Sequence, residues 1–259
     1  MKTLPFIKMH GLGNDYVYMD CFPKTTAEII AKTDLPTLAR AVSDRHFGIG
    51  SDGLVLILPD KKEDARMRIF NADGSEAEMC GNAIRCVSKY LYESGRCSDR
   101  LITVNTLAGV RSMTLQLQGD RVTQVTVNMG CPQIRPETIL CGDNPVGYTA
   151  VNMGNPHAVF FRESVPQQPA DTNIEFVRVR NYKELDVRVI ERGSGETLAC
   201  GTGACAAAVA AIYNGLTDRA LTVHLPGGDL FIEWKDDTHP VLMTGPATEV
   251  FRGEVKIGR

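Results

Sequence analysis

Two segments of this 259-residue chain, residues 80–95 and 200–215, can be aligned without a gap. Each begins with Cys-Gly, continues with apolar residues at helical spacing and closes on a glycine, a common helix stop. A cluster of Gly, Ser and Glu precedes each segment, at residues 74–76 and 193–196. An ordered repeat constrains the fold more than any single motif does, because one structural unit must be built twice.

A Gly-Asn pair lies further upstream in each half, at residues 13–14 and 154–155, before an apolar strand pattern. Because the three features recur in the same order, the sequence predicts two α/β domains of similar topology, each with strands curled around one helix. The domain boundary is predicted near residues 130–132, where Gly-Cys-Pro interrupts the strand pattern. Apolar spacing also predicts helical structure over residues 27–42 and strand structure over residues 149–161.

The charge balance and the apolar runs exclude two classes of partner. The chain has 28 Lys and Arg against 31 Asp and Glu, so it lacks the basic surplus of a nucleic-acid-binding protein. Its longest apolar runs, residues 54–58 and 204–212, are shorter than the roughly 20 residues that a membrane span needs. Polar residues interrupt the N-terminal segment, which therefore has no signal-peptide core. We expect a cytoplasmic enzyme with neither a nucleic-acid nor a membrane partner.

The eight cysteines are expected to be thiols, because the predicted compartment is reducing and the chain is too large to need a disulfide framework. Cys80 and Cys200 differ from the rest, since each directly precedes a predicted helix and is followed by glycine. A helix N-terminus offers N–H groups and the positive end of the macrodipole, which should lower a thiol pKa toward neutrality. The six others are expected to be inert, with the two inside the predicted helices in the core: Cys21, Cys86, Cys97, Cys131, Cys141 and Cys205.

Paired thiols of this kind suit inversion at a C–H stereocentre. One thiolate removes the proton while the other thiol delivers a proton to the opposite face, so the two titrations should be coupled. Gly81 and Gly201 let the helix N–H groups approach a substrate carboxylate and stabilise a carbanionic intermediate. The spacing of Cys and His residues does not match a zinc site, and we predict neither a metal nor a cofactor.

Five segments closely resemble the diaminopimelate epimerase family. They are FNADGSEAEMCGNAIRC (70–86), ERGSGETLACGTGAC (191–205), KMHGLGND (8–15), MGNPH (153–157) and LPGGD (225–229). The resemblance runs nearly end to end. It implies an enzyme of lysine and cell-wall precursor biosynthesis that interconverts LL- and meso-diaminopimelate without pyridoxal phosphate or metal.

The resemblance also implies a fold class and a domain organisation. The fold would be α/β (α+β), with two pseudo-symmetric domains, each a curled, mostly antiparallel sheet wrapped around a central helix. The last strand would return to the first domain, giving residues 1–128 plus 251–259 around Cys80 and residues 129–250 around Cys200. A small-molecule substrate is the implied partner, and a homodimer is compatible with the sequence.

The family's site residues can be assigned to matching positions in this chain. Cys80 and Cys200 would be the proton acceptor and donor. Four neighbours would bind the reacting carboxylate: Gly81, Asn82, Gly201 and Thr202. Six residues would bind the rest of the substrate: Asn14, Asn71, Asn155, Asn173, Glu191 and Arg192. Among these, Arg192 suits the distal carboxylate because a guanidinium can bind it bidentately. His157 and Glu191 resemble an auxiliary pair that flanks the thiols.

Several alternatives stay open on the sequence alone. Asn14 and Asn71 stand in predicted turns, where Asn is common without any substrate contact, and the segment around Asn173 matches the family only loosely. Some family members carry Gln where this chain has Gly53, so that contact is either absent here or made by backbone. A proline or hydroxyproline racemase is the runner-up, although its substrate would leave Arg192 buried without a partner. A thiol-redox sensor is the alternative from another class.

Overall fold

The computed structural model describes residues 2–141, 144–165 and 167–257, with the backbone alone at Cys141. The expected inertness of the Cys141 thiol therefore lies outside the described residues. The chain divides into two units, Met1–Thr126 with Pro246–Arg259 and Val127–Gly245, here called unit 1 and unit 2. The divisions fall a few residues before those expected from the sequence, at 128/129 and 250/251.

The regular elements follow one another along the chain with short connections. In order they are β1 (Lys2–Gly11), β2 (Asn14–Asp20), α1 (Lys24–Ile30), α2 (Leu35–Ser43), β3 (Gly53–Leu58), β4 (Ala65–Asn71), β5 (Glu76–Ala77), α3 (Gly81–Glu93), β6 (Leu101–Thr106), β7 (Gly109–Gln118), β8 (Arg121–Asn128), β9 (Gln133–Cys141), β10 (Asn144–Asn152), β11 (Pro156–Phe160), β12 (Asn173–Asn181), β13 (Glu184–Glu191), β14 (Gly195–Thr197), α4 (Gly201–Tyr213), β15 (Ala220–Leu225), β16 (Gly228–Glu233), β17 (Leu242–Gly245) and β18 (Thr248–Ile257).

The two units repeat one strand order. In unit 1 the order is β18-β1-β2-β3-β4-β6-β7, with β5 on β4, and only β2–β3 and β4–β6 are parallel among these pairs. In unit 2 the order is β9-β10-β11-β12-β13-β15-β16-β17, with β14 on β13, and the parallel pairs are β11–β12 and β13–β15. The pairings of β1–β7 thus recur in β10–β16. The predicted duplication and fold class are confirmed.

One buried helix packs against the sheet of each unit. Helix α3 contacts β1, β2 and β7, whereas α4 contacts strands from β10 to β16. Helix α4 is rich in alanine and almost wholly buried, because small side chains let strands approach it from several sides. Gly95 and Gly215 follow the two helices with φ of 73° and 69°, the left-handed conformation that ends a helix at low cost in glycine.

Tight turns place the Gly-Asn pairs. Leu12 and Gly13 have φ of 58° and 86° and connect β1 to β2, so that Asn14 is the first residue of β2. In unit 2, Gly154 has φ of 101° in the turn between β10 and β11. The strand structure predicted over residues 149–161 is therefore two antiparallel strands joined at this turn.

The helical prediction over residues 27–42 is wrong in its continuity. Helix α1 ends at Ile30 and α2 begins at Leu35. Pro36 lies in the first turn of α2, where its missing N–H costs nothing, and a proline disfavours helical conformation in the residue before it. Thr33 donates from its hydroxyl to the Ile29 carbonyl oxygen at 2.7 Å and satisfies an end of α1.

Within the described residues, the helices are all too short or too polar to cross a membrane.

Candidate active site

Cys80 is the N-cap residue of α3. Its backbone is extended, with φ −140° and ψ 119°, and its sulfur accepts a hydrogen bond from the Ala83 N–H at 3.5 Å. A thiol therefore occupies the place that Ser, Thr, Asn or Asp usually fills at a helix start. The sulfur lies at the positive end of the helix, next to the backbone of Gly81.

Asn14 connects the Cys80 sulfur to the rest of unit 1. Its Oδ1 accepts from the Cys80 thiol at 3.4 Å and from Asn82 Nδ2 at 3.3 Å. Its Nδ2 donates to Asp52 Oδ2 at 2.9 Å. Both ends of the amide are therefore held, and the structure brings three predicted site residues, Asn14, Cys80 and Asn82, together.

Charged residues that sequence reasoning missed hold Asn14 and Asn82 in position. Arg45 donates to Asp52 Oδ1 at 2.9 Å and to Asp15 Oδ1 at 2.8 Å, and buried Lys8 pairs with Asp15. On the other side, the fully buried Arg85 donates to Asn82 Oδ1 at 2.9 Å. Arg85 lies in one of the five segments that resemble the family, whereas Asp52 lies outside them, and the spacing of neither residue shows that it holds an asparagine.

Tyr16 is a further polar neighbour of Cys80. Its buried hydroxyl lies within hydrogen-bonding reach of Asn14 and Cys80. Burial, and secondarily the charge of Cys80, raises the pKa of Tyr16 well above its usual range, so the phenol stays a neutral donor. Its ring also limits position 53, because a Cβ on Gly53 would lie 2.9 Å from Tyr16 Cε1 and 2.2 Å from the Phe70 carbonyl oxygen.

Asn71 is the least engaged of the predicted residues of unit 1. It ends β4, and its amide nitrogen donates to Ser75 Oγ at 3.0 Å within the turn to β5. Its backbone N–H donates to the Ser75 carbonyl oxygen at 2.8 Å. These contacts favour the turn interpretation of Asn71 in this state.

Cys200 is the N-cap residue of α4 and repeats the arrangement of Cys80. Its φ and ψ are −118° and 116°, and its sulfur accepts from the Gly203 N–H at 3.4 Å. The Thr202 hydroxyl lies 3.4 Å from the sulfur. Gly201, between them, is buried at the first helical position. The two predicted neighbours of this thiol, Gly201 and Thr202, therefore lie beside it.

The expected lowering of the thiol pKa is wrong for Cys200. Burial, followed by the charges of Glu191 and Glu175, raises the pKa of Cys200 well above its usual range. The Thr202 hydroxyl and the Gly203 N–H act in the opposite direction without prevailing. Desolvation and two carboxylates therefore outweigh the helix N-terminus, and Cys200 is a protonated thiol at neutral pH.

His157 and Asn155 belong to unit 2, as Cys200 does. The His157 ring is buried, with Nε2 3.0 Å from Asn155 Oδ1 and Nδ1 2.7 Å from Glu175 Oε1. Glu175 was missed by sequence reasoning, although it sits two residues after the predicted Asn173. The alternation of strand β12 was the available signal, because it places Glu175 on the same face of the sheet as Asn173.

The other predicted site residues of unit 2 lie at the start of β12 and at or directly after the end of β13: Asn173, Glu191 and Arg192. Asn173 accepts from the Arg192 backbone N–H at 2.9 Å and donates to the Pro156 carbonyl oxygen at 3.2 Å. It therefore fixes backbone on two sides. Glu191 Oε1 accepts from the Thr197 hydroxyl at 2.6 Å.

Arg192 corrects one step of the sequence argument. The case against a monocarboxylic substrate assumed a buried guanidinium, but Arg192 is exposed, with a 3.4 Å contact from Nη1 to the Asp171 carbonyl oxygen. An exposed guanidinium carries no burial penalty that a second carboxylate must relieve. Its position next to Glu191 still leaves it able to bind an incoming anion.

The remaining thiols differ from Cys80 and Cys200. Cys86 and Cys205 are completely buried inside α3 and α4, as predicted. Burial raises the pKa of Cys21 to about 12 and that of Cys86 to about 11. Cys131 is exposed. Across the part of the chain that the structure describes, no three His, Cys, Asp or Glu side chains cluster as a metal site.

A family model described as diaminopimelate epimerase matches residues 6–135 and 162–250. The chain belongs to the diaminopimelate epimerase family.

Relatives within the family extend over nearly the whole chain. A diaminopimelate epimerase of Desulfitobacterium hafniense is 48% identical over 279 residues, covering 96% of this chain and 97% of that protein. One of Pelotomaculum thermopropionicum is 50% identical over 278 residues, covering 96% and 98%. These matches confirm the family that the motifs indicated.

The fold extends beyond the family. A crystal structure of a hydroxyproline epimerase from Agrobacterium vitis matches with a TM-score of 0.71 and 13% identity, over 98% of this chain and 92% of that one. At this identity the likeness concerns the fold alone.

Glu191→Gln is expected to raise the alkylation rate of Cys200 severalfold near neutral pH. Removing the carboxylate lowers the pKa of Cys200, so a larger fraction is thiolate at any given pH, and the thiolate is the form that reacts. The rate is measured with iodoacetamide by mass spectrometry of the Cys200 peptide. Glu196→Gln, an exposed carboxylate paired with Arg188, is the control and should leave the rate unchanged. Equal rates in the two variants would show that Glu191 does not act on this thiol.

Proposed function

We propose that this chain interconverts LL- and meso-diaminopimelate, using Cys80 and Cys200 as the two acid/base groups. One thiolate takes the α-proton, and the other thiol supplies a proton to the opposite face of the same carbon. The observation that carries the proposal is the repeat of one arrangement: in each unit a cysteine caps a buried helix and is followed by glycine. Two such thiols are what an inversion without a carbonyl cofactor requires.

The reacting carboxylate would bind at the helix N-termini. The first N–H groups of each helix have no partner within the helix, and Gly81 and Gly201 present no side chain to hinder an approaching anion. Asn82 and Thr202 add an amide and a hydroxyl at the second position of each helix. These donors are in place before substrate arrives, so they can stabilise the enolate-like charge that develops as the α-proton leaves.

The two thiols would start in different protonation states. Burial, followed by the charges of Glu191 and Glu175, keeps Cys200 protonated, which makes it the proton donor in this direction of the reaction. Cys80 then acts as the base, after it has lost to solvent the proton that it donates to Asn14 Oδ1 in this structure. Because the reverse reaction exchanges these roles, turnover should depend on both groups and follow a bell-shaped pH profile that belongs to the pair.

Asn14, Asn155 and Arg192 would bind the rest of the substrate. Asn71, in the turn after β4, would add a further contact. The exposed guanidinium of Arg192 suits the distal carboxylate, while amides suit the distal ammonium and carboxylate because each has a donor and an acceptor. Asn173 would act through the backbone of Arg192. Such an enzyme would work in the cytoplasm on a small molecule, with a second copy of the chain as a compatible partner.

A turnover assay with alternative substrates tests this proposal. In reductant and without pyridoxal phosphate, the protein is expected to epimerise LL-diaminopimelate but not proline, trans-4-hydroxyproline or glutamate, which lack part of the dicarboxylic, diamino pattern. Chiral chromatography of the products gives the readout. Turnover of proline with none of diaminopimelate would establish the racemase alternative. Reversible thiol oxidation with no turnover of any substrate would establish the sensor.

A further inference from the structure

Glu175 is a completely buried carboxylate in unit 2. Its side chain and that of His157 have no exposed surface, and Oε1 lies 2.7 Å from His157 Nδ1. Among the residues that the structure describes, Oε2 has no hydrogen-bond partner. A buried carboxylate with one unsatisfied oxygen is costly to stability, so its presence calls for a reason.

Because the two units repeat one fold, the position of Glu175 in unit 2 has an equivalent position in unit 1. Tyr16 pairs with Gly53 in unit 1, and His157 pairs with Asn173 in unit 2, so these pairs are equivalent. Two residues further along the strand, the equivalent of Glu175 is Val55. Unit 1 therefore fills this position with an apolar side chain.

Helix α4 also differs from α3 at the position that faces Glu175. Three residues after the cysteine, α3 has Ala83 and α4 has Gly203. A Cβ on Gly203 would lie 2.8 Å from Glu175 Oε1. Unit 1 therefore combines Val55 with Ala83. Unit 2 combines Glu175 with Gly203, which lacks the methyl group that would meet the carboxylate. Packing alone does not require the polar combination, since the apolar one serves the same fold in unit 1.

The hydrogen bonds lead from Glu175 toward the proposed substrate site. Nδ1 of His157 faces the Glu175 carboxylate, and Nε2 faces Asn155 Oδ1 at 3.0 Å. Each ring nitrogen faces an oxygen atom, an arrangement that a ring protonated at both nitrogens would satisfy. Burial raises the pKa of Glu175, and a charged His157 ring acts against that rise. The other ionisable groups near the carboxylate are Glu191 on β13 and Cys200 at the start of α4.

We propose that Glu175 is a positioning residue, whose buried carboxylate holds His157 as an imidazolium so that its Nε2–H fixes the Asn155 amide for substrate. The inference rests on the proposed function. Charge on Glu175 is essential to it, because a neutral ring with Nδ1–H would leave Nε2 as an acceptor facing another acceptor. The Asn155 amide would then turn and present the opposite end to the substrate.

Two variants of the full chain separate this role from packing. Glu175→Gln keeps the shape and an acceptor for Nδ1 but removes the charge. The double variant Glu175→Val with Gly203→Ala installs the apolar pair of unit 1. Gly203→Ala alone is the structural control: it should lower Tm, and adding Glu175→Val should restore part of the loss, because the shortest contact of the new methyl, 2.8 Å, is with the carboxylate, while those with Cys200 Cβ and Val189 Cγ1 are 3.3 Å.

We expect Glu175→Gln to keep a Tm close to that of the parent and to lose roughly 10- to 100-fold in kcat/KM for diaminopimelate, with KM raised, since a misplaced binding group costs on this order. The double variant should show a similar loss. In nitrogen-15 NMR, His157 should carry protons on both nitrogens in the parent and on one in Glu175→Gln. Unchanged kcat/KM in either folded variant would overturn the positioning role.

The NMR measurement is independent of turnover. A neutral His157 in the parent protein overturns the inference even if diaminopimelate is epimerised. A doubly protonated His157 in a parent protein that does not epimerise diaminopimelate would leave the His157–Glu175 pair established, while the proposed function fails.

Discussion

Cys80→Ser and Cys200→Ser are each expected to lower kcat for diaminopimelate epimerisation by about 10²- to 10⁴-fold. A serine hydroxyl is a far weaker acid than a thiol and does not form the anion needed to take an α-proton. Loss of fold cannot account for the effect, because serine is a preferred N-cap residue and both cysteines occupy N-cap positions. Tm should therefore be unchanged or slightly raised. Cys131→Ser, at an exposed thiol, is the control and should retain full activity.

Solvent deuterium distinguishes this two-base mechanism from a single shuttled proton. In heavy water, product formed early should carry deuterium at the inverted carbon, while recovered substrate should initially carry none. This outcome follows because the thiol that delivers the proton has exchanged with solvent, whereas the thiol that removes it acts on the opposite face. Inversion without solvent label would contradict the proposal, as would near-parent turnover in either serine variant.

The features that sequence reasoning predicted are those with a local pattern. The two Cys-Gly helix starts and the two Gly-Asn turns can be recognised because each is built from neighbouring residues, and their repetition predicted the duplicated topology. The break between α1 and α2 also had a local signal, Pro36, which outweighs the apolar spacing around it. Family resemblance then supplied the site residues, and the structure places Asn14 against both Cys80 and Asn82.

What sequence reasoning missed depends on contacts between distant segments. Asp52 reaches Asn14 because β3 pairs in parallel with β2, and Glu175 reaches His157 because β12 pairs in parallel with β11. Parallel register cannot be read from either strand alone. The pKa of Cys200 is a second such quantity. A helix N-terminus can be recognised in the sequence, but burial beside Glu191 cannot, and burial has the larger effect.

Gly53→Gln is expected to destabilise the protein by about 3 kcal/mol, as overpacking of a well-packed strand does. The substitution would restore the side chain that some family members use at this position. However, a Cβ there would lie 2.2 Å from the Phe70 carbonyl oxygen, and backbone of the adjacent strand cannot move aside cheaply. Urea unfolding measures the change. Gly147→Ala is the matched control, a strand glycine whose added Cβ would meet only the Glu137 carbonyl oxygen at 3.9 Å, so stability should change by less than about 1 kcal/mol. A Gly53→Gln variant as stable as Gly147→Ala would mean that the β3–β4 pair yields at this point, and that a side-chain contact at position 53 is open to this chain after all.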